Sequence, residues 1–328
     1  FDNIFMFDFR FNILKDYVDM FVICESKYDH RNNPKKLNFD KNFINEKKVK
    51  YIVLEKPFPN KTNIWENQAI QREYLLESLN LTQEFENYYF DISDYKKLNQ
   101  IFIDNDFDIV FHFAAQTQVK DALVDPLTTF NSNIKGTWNL LEICRQNNVP
   151  AVVASSDKAY GISETLPYKE DFRLNGEFPY EVSKSITDLL VNTYKVSYEL
   201  SVSTLRCGNI YGGGDLNWDR LIPGVIKWLL NNEQPILRTD GSFKRDWVYV
   251  QDVVEAYYLV GNELIKNPKN VSTAYNFAGL DYLSVKDVYT SICNVVNGEF
   301  VEPKYVIDSE LEIPDQYLDS SKIKNEIG

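Results

Sequence analysis

The stretch FDIVFHFAA, residues 107–115, decides the fold of this chain. Its apolar residues follow one another almost without a break, and isoleucine, valine and phenylalanine favour strands. A nearly continuous apolar run is typical of a strand that is buried on both faces of a parallel sheet. PAVVAS at 150–155 and VSTLR at 202–206 have the same character. These three segments therefore predict strands of one buried sheet.

Segments with helical periodicity alternate with these strands. Apolar spacing predicts helices around 67–79, 95–105, 127–147 and 180–200, and further strands at 21–26, 50–55 and 88–92. Alternation of strands and helices indicates a parallel sheet with helices on both faces. The predicted fold is therefore α/β, with a doubly wound parallel sheet.

Composition excludes several classes of function. The 328 residues carry a formal net charge of −13, which disfavours binding to nucleic acid or to an anionic membrane surface. No apolar run approaches the roughly 18 residues of a membrane span. Four cysteines lie far apart and only two histidines accompany them, so we expect no metal site and a reducing, cytoplasmic location.

The distribution of glycine is unusual. All 13 glycines lie at Gly136 or later. A dinucleotide-binding sheet normally begins with a strand, a glycine-rich turn and a helix, because glycine lets the backbone approach the pyrophosphate. The usual cradle is therefore not encoded in its usual place. The dense run Gly212–Gly214 follows a different strand and predicts a loop.

Tyr180 and Lys184 are the first candidates for chemistry. They lie four residues apart on a predicted helix and so share a face. A lysine charge beside a tyrosine favours the phenolate, so we expect a lowered phenol pKa and a usable base. Ser156 ends a predicted strand, and ligands of open parallel sheets bind beyond the carboxyl ends of strands. An exposed tyrosine–lysine pair beside a solvated loop is the alternative interpretation.

Taken together, these motifs resemble the extended short-chain dehydrogenase/reductase family, and within it the nucleotide-sugar 4,6-dehydratases. The similar segments are DISD (91–94), FDIVFHFAAQ (107–116), NSNIKGTWNLLE (131–142) and YEVSK (180–184), in the order of the family. SSDKAYG (155–161) and LRCGNIYGGGDLNWDRLIPG (205–224) are most similar to CDP-glucose 4,6-dehydratases, whereas KRDWVYVQDVVEAY (244–257) is closer to the general family pattern. The resemblance implies a Rossmann-like sheet that binds NAD over residues 80–328, with a small C-terminal substrate-binding region mainly at 207–328.

The first 79 residues resemble something else. FRFNILKDYVDMFVICESKYDHRNNPKKLNF (9–39) and NIWENQAIQRE (63–73) are similar to the start of the β-1,4-mannosyl-glycoprotein N-acetylglucosaminyltransferase family. The acidic metal-binding motif of that family does not follow. We therefore expect residues 1–79 to be an incomplete βαβ segment, joined near Asn80 to a dehydratase portion that is truncated at its start and its end.

The resemblance implies roles in a reaction on a nucleotide sugar. Tyr180 removes the proton of the sugar 4-hydroxyl as NAD oxidises C4, Lys184 assists at the nicotinamide ribose, and Ser156 orients the substrate. Asp157 protonates the departing 6-hydroxyl while Lys158 is the candidate base at C5, unless Lys158 only positions the sugar. Hydride then returns to C6, so that NAD is recycled.

Binding residues follow from the same resemblance. At the adenine they are Asp91 and Ile92. Along the dinucleotide they are Phe113, Ala114, Ala115 and Gln116. Arg220 and Arg245 are expected at the diphosphate of the substrate, because a guanidinium matches phosphate oxygens, and Asn209 is expected at the nucleotide sugar. Each charge-assisted hydrogen bond contributes about 1.5 to 3 kcal/mol, so the missing glycine turn predicts weak NAD binding.

Two other functions stay open at this point. A nucleotide-sugar 4-epimerase needs only the hydroxyl, tyrosine and lysine, whereas the Asp157–Lys158 pair favours elimination of water. A non-catalytic fusion product or fragment, unable to bind NAD tightly, is the third interpretation. The resemblance also implies a possible homodimer, formed through the helices around 127–147 and 180–200.

Overall fold

The computed structural model describes residues 21–27, 33–34, 36, 49–57, 88, 90–215, 217–279, 282–307 and 313–328. The chain divides into two compact units, Phe1–Phe90 and Asp91–Gly328, and each is described here by itself. The predicted helix at 67–79 lies outside the described residues, as does most of the segment that resembles the transferase family.

In the first unit, β1 (Phe21–Ser26) pairs in parallel with β2 (Val49–Leu54). Phe21 lies opposite Val49 and Ser26 lies opposite Leu54. The strands predicted at 21–26 and 50–55 are therefore confirmed, the second beginning and ending one residue earlier than predicted.

A four-stranded parallel sheet forms the centre of the second unit. Its strands are β3 (Val110–His112), β4 (Ala151–Ser156), β5 (Val202–Cys207) and β9 (Ala274–Phe277), and they lie in that order. The three strands predicted from buried apolar runs are confirmed and neighbour one another. β3 is shorter than its apolar run, because the chain leaves the sheet after His112 and continues as a loop to residue 118.

Helices connect these strands. Before β4 lie α1 (Tyr95–Asp104), α2 (Val119–Val124), α3 (Pro126–Phe130), a π-helical turn (Asn131–Lys135) and α4 (Gly136–Asn147). Between β4 and β5 lie a 3₁₀ turn (Asp157–Tyr160) and α5 (Pro179–Tyr198). The helices predicted around 95–105, 127–147 and 180–200 are thereby confirmed.

Alternate residues of the central strands face opposite layers, as a doubly wound sheet requires. Val152 and Leu205 pack in a buried apolar cluster with α7 (Val250–Lys266). Ser155 and Thr204 face the opposite layer, because Ser155 is three residues from Val152 and Thr204 is next to Leu205. Both donate hydrogen bonds to Asp188 of α5. The predicted Rossmann-like architecture is confirmed, because helices cover both faces of the sheet.

The prediction of a strand at 88–92 is wrong. Residues 91–93 form a turn, in which the Asp91 carboxylate accepts a hydrogen bond from the Ser93 backbone N–H at 2.8 Å. The Asp94 backbone N–H donates to the Asp91 carbonyl at 2.9 Å. Asp94 then caps α1 by accepting from the Lys97 backbone N–H. Aspartate favours such local hydrogen bonds over the ladder of a sheet.

The C-terminal part of the chain contributes to the central sheet and to a second, smaller region. A smaller one contains β6 (Asn209–Tyr211), β7 (Ile236–Leu237), β8 (Lys244–Tyr249), β10 (Tyr282–Ser284), β11 (Lys304–Tyr305), β12 (Asp315–Gln316), α6 (Leu221–Leu230) and α8 (Val285–Asn297). β8 pairs with β6, β10 and β12. By contrast, α7 and the final helix α9 (Ser321–Glu326) pack on the central sheet. Within the described residues, no helix combines the length and the apolarity needed to cross a membrane.

Candidate active site

The 3₁₀ turn at Asp157–Tyr160 lies directly beyond the carboxyl end of β4, where the sequence predicts the reaction centre. Ser156 caps this turn, because its hydroxyl oxygen accepts from the Lys158 backbone N–H at 3.2 Å. The same hydroxyl donates to Oδ1 of Asp157 at 2.9 Å. Ser156, Asp157 and Lys158 are thus held together by local hydrogen bonds.

Asp157 is buried, with 4% of its surface exposed. Its Oδ2 atom has no hydrogen-bond partner in the described part of the chain. Burial raises the pKa of the carboxyl, although the charges of Lys158 and Arg245 and the Ser156 hydrogen bond oppose the rise. A carboxyl with a raised pKa keeps its proton to higher pH than an ordinary aspartic acid does, as a general acid requires.

Tyr180 and Lys184 lie one turn apart on α5, and both are buried. The Lys184 ammonium donates to the Ala154 carbonyl at 2.8 Å and lies 6.0 Å from the centre of the Tyr180 ring. Burial lowers the pKa of Lys184 to about 8. The expected proximity of this pair is therefore present in the structure.

The prediction that Lys184 lowers the pKa of the Tyr180 phenol is wrong for the protein without bound ligands. Burial, and to a smaller extent the charge of Asp157, raises the pKa of Tyr180 to about 12. Hydrogen bonding to Ser156 and the charge of Arg220 act in the opposite direction. Tyr180 thus holds its proton when neither substrate nor cofactor is bound. The prediction failed because the spacing of Tyr180 and Lys184 gave their proximity but not their burial.

A buried polar network lies beneath the turn, and motif comparison missed it. Asp188, one turn beyond Lys184, accepts hydrogen bonds from Ser155, from Thr204 and, at 3.0 Å, from Nε of Arg206. The Arg206 guanidinium also donates to the Tyr160 hydroxyl at 2.6 Å. This network ties α5 and β5 to the turn that carries Asp157. The spacing of four residues from Lys184 to Asp188 was the available signal.

The loop after β3 is linked to the same helix. The Gln116 backbone N–H donates to Oδ1 of Asn133 at 2.7 Å, and Nδ2 of Asn133 donates to the Gln116 carbonyl and to the Ser183 hydroxyl, each at 2.9 Å. The Ser183 hydroxyl in turn donates to the Tyr180 carbonyl. Asn133 therefore connects the expected cofactor loop to the helix that carries Tyr180.

His112 is buried next to this loop. Its Nε2 lies 2.8 Å from the Thr137 hydroxyl, which donates its own proton to the Asn133 carbonyl at 2.6 Å. The imidazole is therefore the donor in this pair. Burial and the charge of Lys184 lower the pKa of His112 to about 4, so it is neutral at physiological pH.

The other expected cofactor residues lie at the same end of the sheet. Phe113 is 58% exposed, and its ring makes a T-shaped contact with the ring of Tyr257, with the ring centres 4.7 Å apart. Ala114 and Ala115 continue the loop. Asp91 and Ile92 lie in the turn before α1. Asn139 of α4 holds this turn by donating to the carbonyls of Ile92 and Ser93 at 3.2 and 2.9 Å. A Cβ on Gly136 would lie 2.5 Å from Cγ2 of Ile92, so a larger residue at this position would force the Ile92 side chain to shift.

The three residues expected to bind the substrate differ in their exposure and in their present hydrogen-bond partners. Asn209 is half-buried in β6, and Arg220 is half-exposed before α6, 3.3 Å from Asp215. Arg245 is buried, and its guanidinium donates to the carbonyls of Ile313 at 2.5 Å and Pro314 at 2.6 Å. The charge of Arg245 still acts on Asp157, and that of Arg220 on Tyr180.

The residues present fit NAD at two of its three parts. The turn at 91–93 is the segment expected at the adenine, and the loop at 113–116 is the one expected along the dinucleotide. Oε1 of Gln116 is a buried acceptor without a partner in the described residues. Tyr180 and Lys184 fit the nicotinamide ribose. The glycine turn for the pyrophosphate is absent from the first 135 residues. No group of three or more metal-ligating side chains occurs in the described ranges.

Comparison with known proteins identifies relatives of this chain. Residues 44–277 match the model of the NAD dependent epimerase/dehydratase family. The chain is 31% identical over 269 residues to a CDP-glucose 4,6-dehydratase of Salmonella typhimurium, covering 77% of this chain and 74% of that protein.

Two solved structures are also similar. One is an NAD-dependent NDP-hexosamine 5,6-dehydratase of tunicamycin biosynthesis, with a TM-score of 0.63, 27% identity and coverage of 73% of this chain and 75% of that one. The other, a UDP-glucose 4-epimerase of Thermotoga maritima, has a TM-score of 0.69 at 22% identity over 94% of this chain and 93% of that one, and shares the fold. Motif order, site geometry and these matches agree: the chain belongs to the NAD-dependent epimerase/dehydratase family.

Proposed function

We propose that this protein is an NAD-dependent nucleotide-sugar 4,6-dehydratase, with CDP-glucose as the favoured substrate. The observation that carries the proposal is Asp157, a buried carboxyl with a free Oδ2 atom, next to Lys158 and close enough to Tyr180 for its charge to act on the phenol. A 4-epimerase requires no acid for a departing hydroxyl. The similarity to a CDP-glucose 4,6-dehydratase supports the choice of nucleotide.

Oxidation at C4 depends on Tyr180, which takes the proton of the sugar 4-hydroxyl. When bound, NAD supplies the redox chemistry: it accepts two electrons and one hydrogen from C4 and later returns them to C6. Ser156 positions the hydroxyl, and Lys184 stabilises the phenolate through its charge. The pKa of Lys184, about 8, leaves much of it charged at neutral pH.

The elimination step uses the acid and base on the 3₁₀ turn. The 4-ketone acidifies the C5 proton, which Lys158 removes. The electrons of the C5–H bond form the C5=C6 double bond, the C6–O bond breaks, and the departing hydroxyl takes the proton of Asp157 and leaves as water. Lys158 then returns its proton to C5 when C6 is reduced, and Asp157 regains a proton from solvent.

The diphosphate of the substrate lies at Arg220 in this proposal, since a guanidinium matches phosphate oxygens. Arg245 is a second candidate. Its present partners are the carbonyls of Ile313 and Pro314, so phosphate binding there requires the exchange of these hydrogen bonds. Asn209 is the proposed polar contact to the nucleotide sugar.

We expect the purified protein, supplied with millimolar NAD, to convert CDP-glucose into a CDP-4-keto-6-deoxy sugar. Mass spectrometry detects the loss of one water, and calorimetry measures NAD binding on the same preparation. A CDP-hexose epimerised at C4 without loss of water would favour the epimerase instead. No NAD binding at several millimolar would leave the non-catalytic alternative.

We also propose a homodimer formed through α3, α4 and α5. These helices expose large apolar side chains, with exposed fractions of 71% for Leu127, 55% for Trp138, 56% for Leu189 and 70% for Val196. α4 and α5 lie side by side, because the Tyr194 hydroxyl donates to Glu142 at 3.1 Å. An apolar surface of this kind is typical of protein contacts.

Sedimentation equilibrium is expected to give twice the mass of the chain. The double variant Trp138→Asp with Leu189→Asp should sediment as a monomer. The control Val254→Asp, placed on the exposed side of α7, should remain a dimer. A monomeric wild-type chain would contradict this proposal.

Two further proposals concern the whole chain. A reducing cytoplasmic location is supported by Cys144, Cys207 and Cys293, which are buried free thiols. The join near Asn80, between a transferase-like segment and a dehydratase portion, also remains a proposal. The family match begins at residue 44, and the boundary between the two compact units in the sequence falls after Phe90.

A further inference from the structure

Arg206 of β5 is hydrogen-bonded both to the helix that carries the proposed base and to the turn that carries the proposed acid. On one side, its Nε donates to Oδ1 of Asp188 at 3.0 Å, and Asp188 lies on α5, one turn beyond Lys184. On the other side, one terminal nitrogen donates to the hydroxyl of Tyr160 at 2.6 Å. Tyr160 is the last residue of the 3₁₀ turn that begins at Asp157. The Arg206 side chain therefore joins the two elements.

The end of this link on α5 is held by the central sheet. The Asp188 carboxylate also accepts from the Ser155 hydroxyl of β4 and, at 2.6 Å, from the Thr204 hydroxyl of β5. Asp188 and Arg206 are both buried. A buried polar network whose members all have partners is rigid. The guanidinium is thus fixed in position before it reaches the turn.

The other end of the link is the Tyr160 hydroxyl. It donates its single proton to Oδ1 of Asn276 in β9 at 2.7 Å, so its oxygen is the acceptor for Arg206. The Tyr160 ring stacks on the ring of Tyr168, with the ring centres 4.7 Å apart. Apolar contact therefore holds the ring, and the two hydrogen bonds fix the direction of its hydroxyl.

A second bond between α5 and the turn makes the Arg206 link important for orientation. The Ser185 hydroxyl donates to the Ala159 carbonyl at 2.8 Å. One attachment lets a short turn pivot, whereas two attachments fix its orientation. The Asp157 carboxyl depends on that orientation, because its Oδ1 accepts from the preceding residue and its Oδ2 has no partner in the described part of the chain.

We propose that Arg206 and Tyr160 are positioning residues of the elimination step: their hydrogen bond orients the turn, so that its acid and base meet a sugar held at Tyr180. The inference rests on the proposed dehydratase function. Oxidation at C4 uses Tyr180 on α5, whereas the loss of water uses Asp157 and Lys158 on the turn. A displacement of about 1 Å lowers a rate by up to about 10²-fold. A turn that pivots should therefore slow elimination far more than oxidation.

The test is Tyr160→Phe in the full chain, supplied with NAD and CDP-glucose. Phenylalanine keeps the ring on Tyr168 and removes only the hydroxyl that accepts from Arg206. In single turnovers, the absorbance of reduced nicotinamide should rise within a few fold of the wild-type rate and decay about 10- to 10²-fold more slowly. Quenched samples should contain a 4-keto sugar that retains its 6-hydroxyl. The matched control is Tyr289→Phe, which removes a buried hydroxyl that donates to the Val301 carbonyl in the smaller region and should behave as wild type.

A double-mutant cycle tests whether the effect passes through the hydrogen bond. Arg206→Lys keeps a cation for Asp188, but its single nitrogen lacks the fork that also reaches Tyr160. We expect each single variant and the double variant to slow elimination by the same factor. Losses that multiply in the double variant would overturn the proposal. If Arg206→Lys does not fold, Tyr160→Phe alone carries the test.

Hydrogen exchange of the protein without ligands gives a readout that does not depend on activity. The Gly161 backbone N–H donates to the Lys158 carbonyl at 3.2 Å across the turn. In Tyr160→Phe this amide should exchange about tenfold faster, as expected for the loss of one hydrogen bond, while the amides of α5 keep their wild-type rates. An unchanged rate at Gly161 would contradict the proposal.

Failure of this inference is distinguishable from failure of the proposed function. A wild-type chain that binds NAD and removes no water from CDP-glucose would overturn the dehydratase function, and the inference with it. A wild-type chain that removes water, combined with an unchanged ratio of oxidation to elimination in Tyr160→Phe, would overturn the inference alone. Arg206 and Tyr160 would then be only structural.

Discussion

Replacing Tyr180 with phenylalanine is expected to lower turnover by about 10²- to 10⁴-fold, the usual contribution of a general base. The phenol is the group that takes the proton of the sugar 4-hydroxyl, and without it C4 is not oxidised. Phenylalanine keeps the buried ring in its contacts on α5 and removes one oxygen. Stability should therefore change little, and neither the sugar nor NAD loses its main binding groups.

Stopped-flow and steady-state assays with the nucleotide sugar measure this loss, and calorimetry checks that NAD still binds. Tyr258→Phe is the matched control, because this tyrosine is 64% exposed on α7, away from the proposed site. We expect the control to retain full activity. Turnover within a few fold of wild type in Tyr180→Phe would assign the base to another residue.

Replacing Asp157 with asparagine is expected to stop the reaction after C4 oxidation, with a loss of overall turnover of about 10²- to 10⁴-fold. Asparagine has no proton to give to the departing 6-hydroxyl. The charge that raises the pKa of Tyr180 also disappears, so the oxidation half-reaction should extend to lower pH than in the wild type.

Mass spectrometry of quenched reactions distinguishes a 4-keto sugar that retains its 6-hydroxyl from the dehydrated product. Asp171→Asn serves as the control, since Asp171 is exposed on the segment after the turn. If Asp157→Asn still released the 6-deoxy product at an unchanged rate, elimination would use a different acid and the proposed role of the turn would fail.

Much of the site was predictable because it depends on local order along the chain. Ser156 is the last residue of β4, and Asp157 and Lys158 follow it directly, so the end of a strand in a parallel sheet fixes where all three lie. Tyr180 and Lys184 share a helix face by spacing alone. The expected strand at 88–92 was wrong because aspartate hydrogen bonds close a turn there, and apolar content gave no sign of them.

The amino-acid sequence by itself determined the doubly wound parallel sheet, the order of its motifs and the residues available for acid–base chemistry. These follow from periodicity and from which residue comes next, both of which are local properties. Tertiary structure alone decided the protonation of those residues. Burial keeps the proton on Tyr180, and the charge of Arg245 acts on Asp157 although the two residues are almost ninety positions apart in the chain. Solvation and charge depend on what surrounds a group in space, which no spacing along the chain expresses.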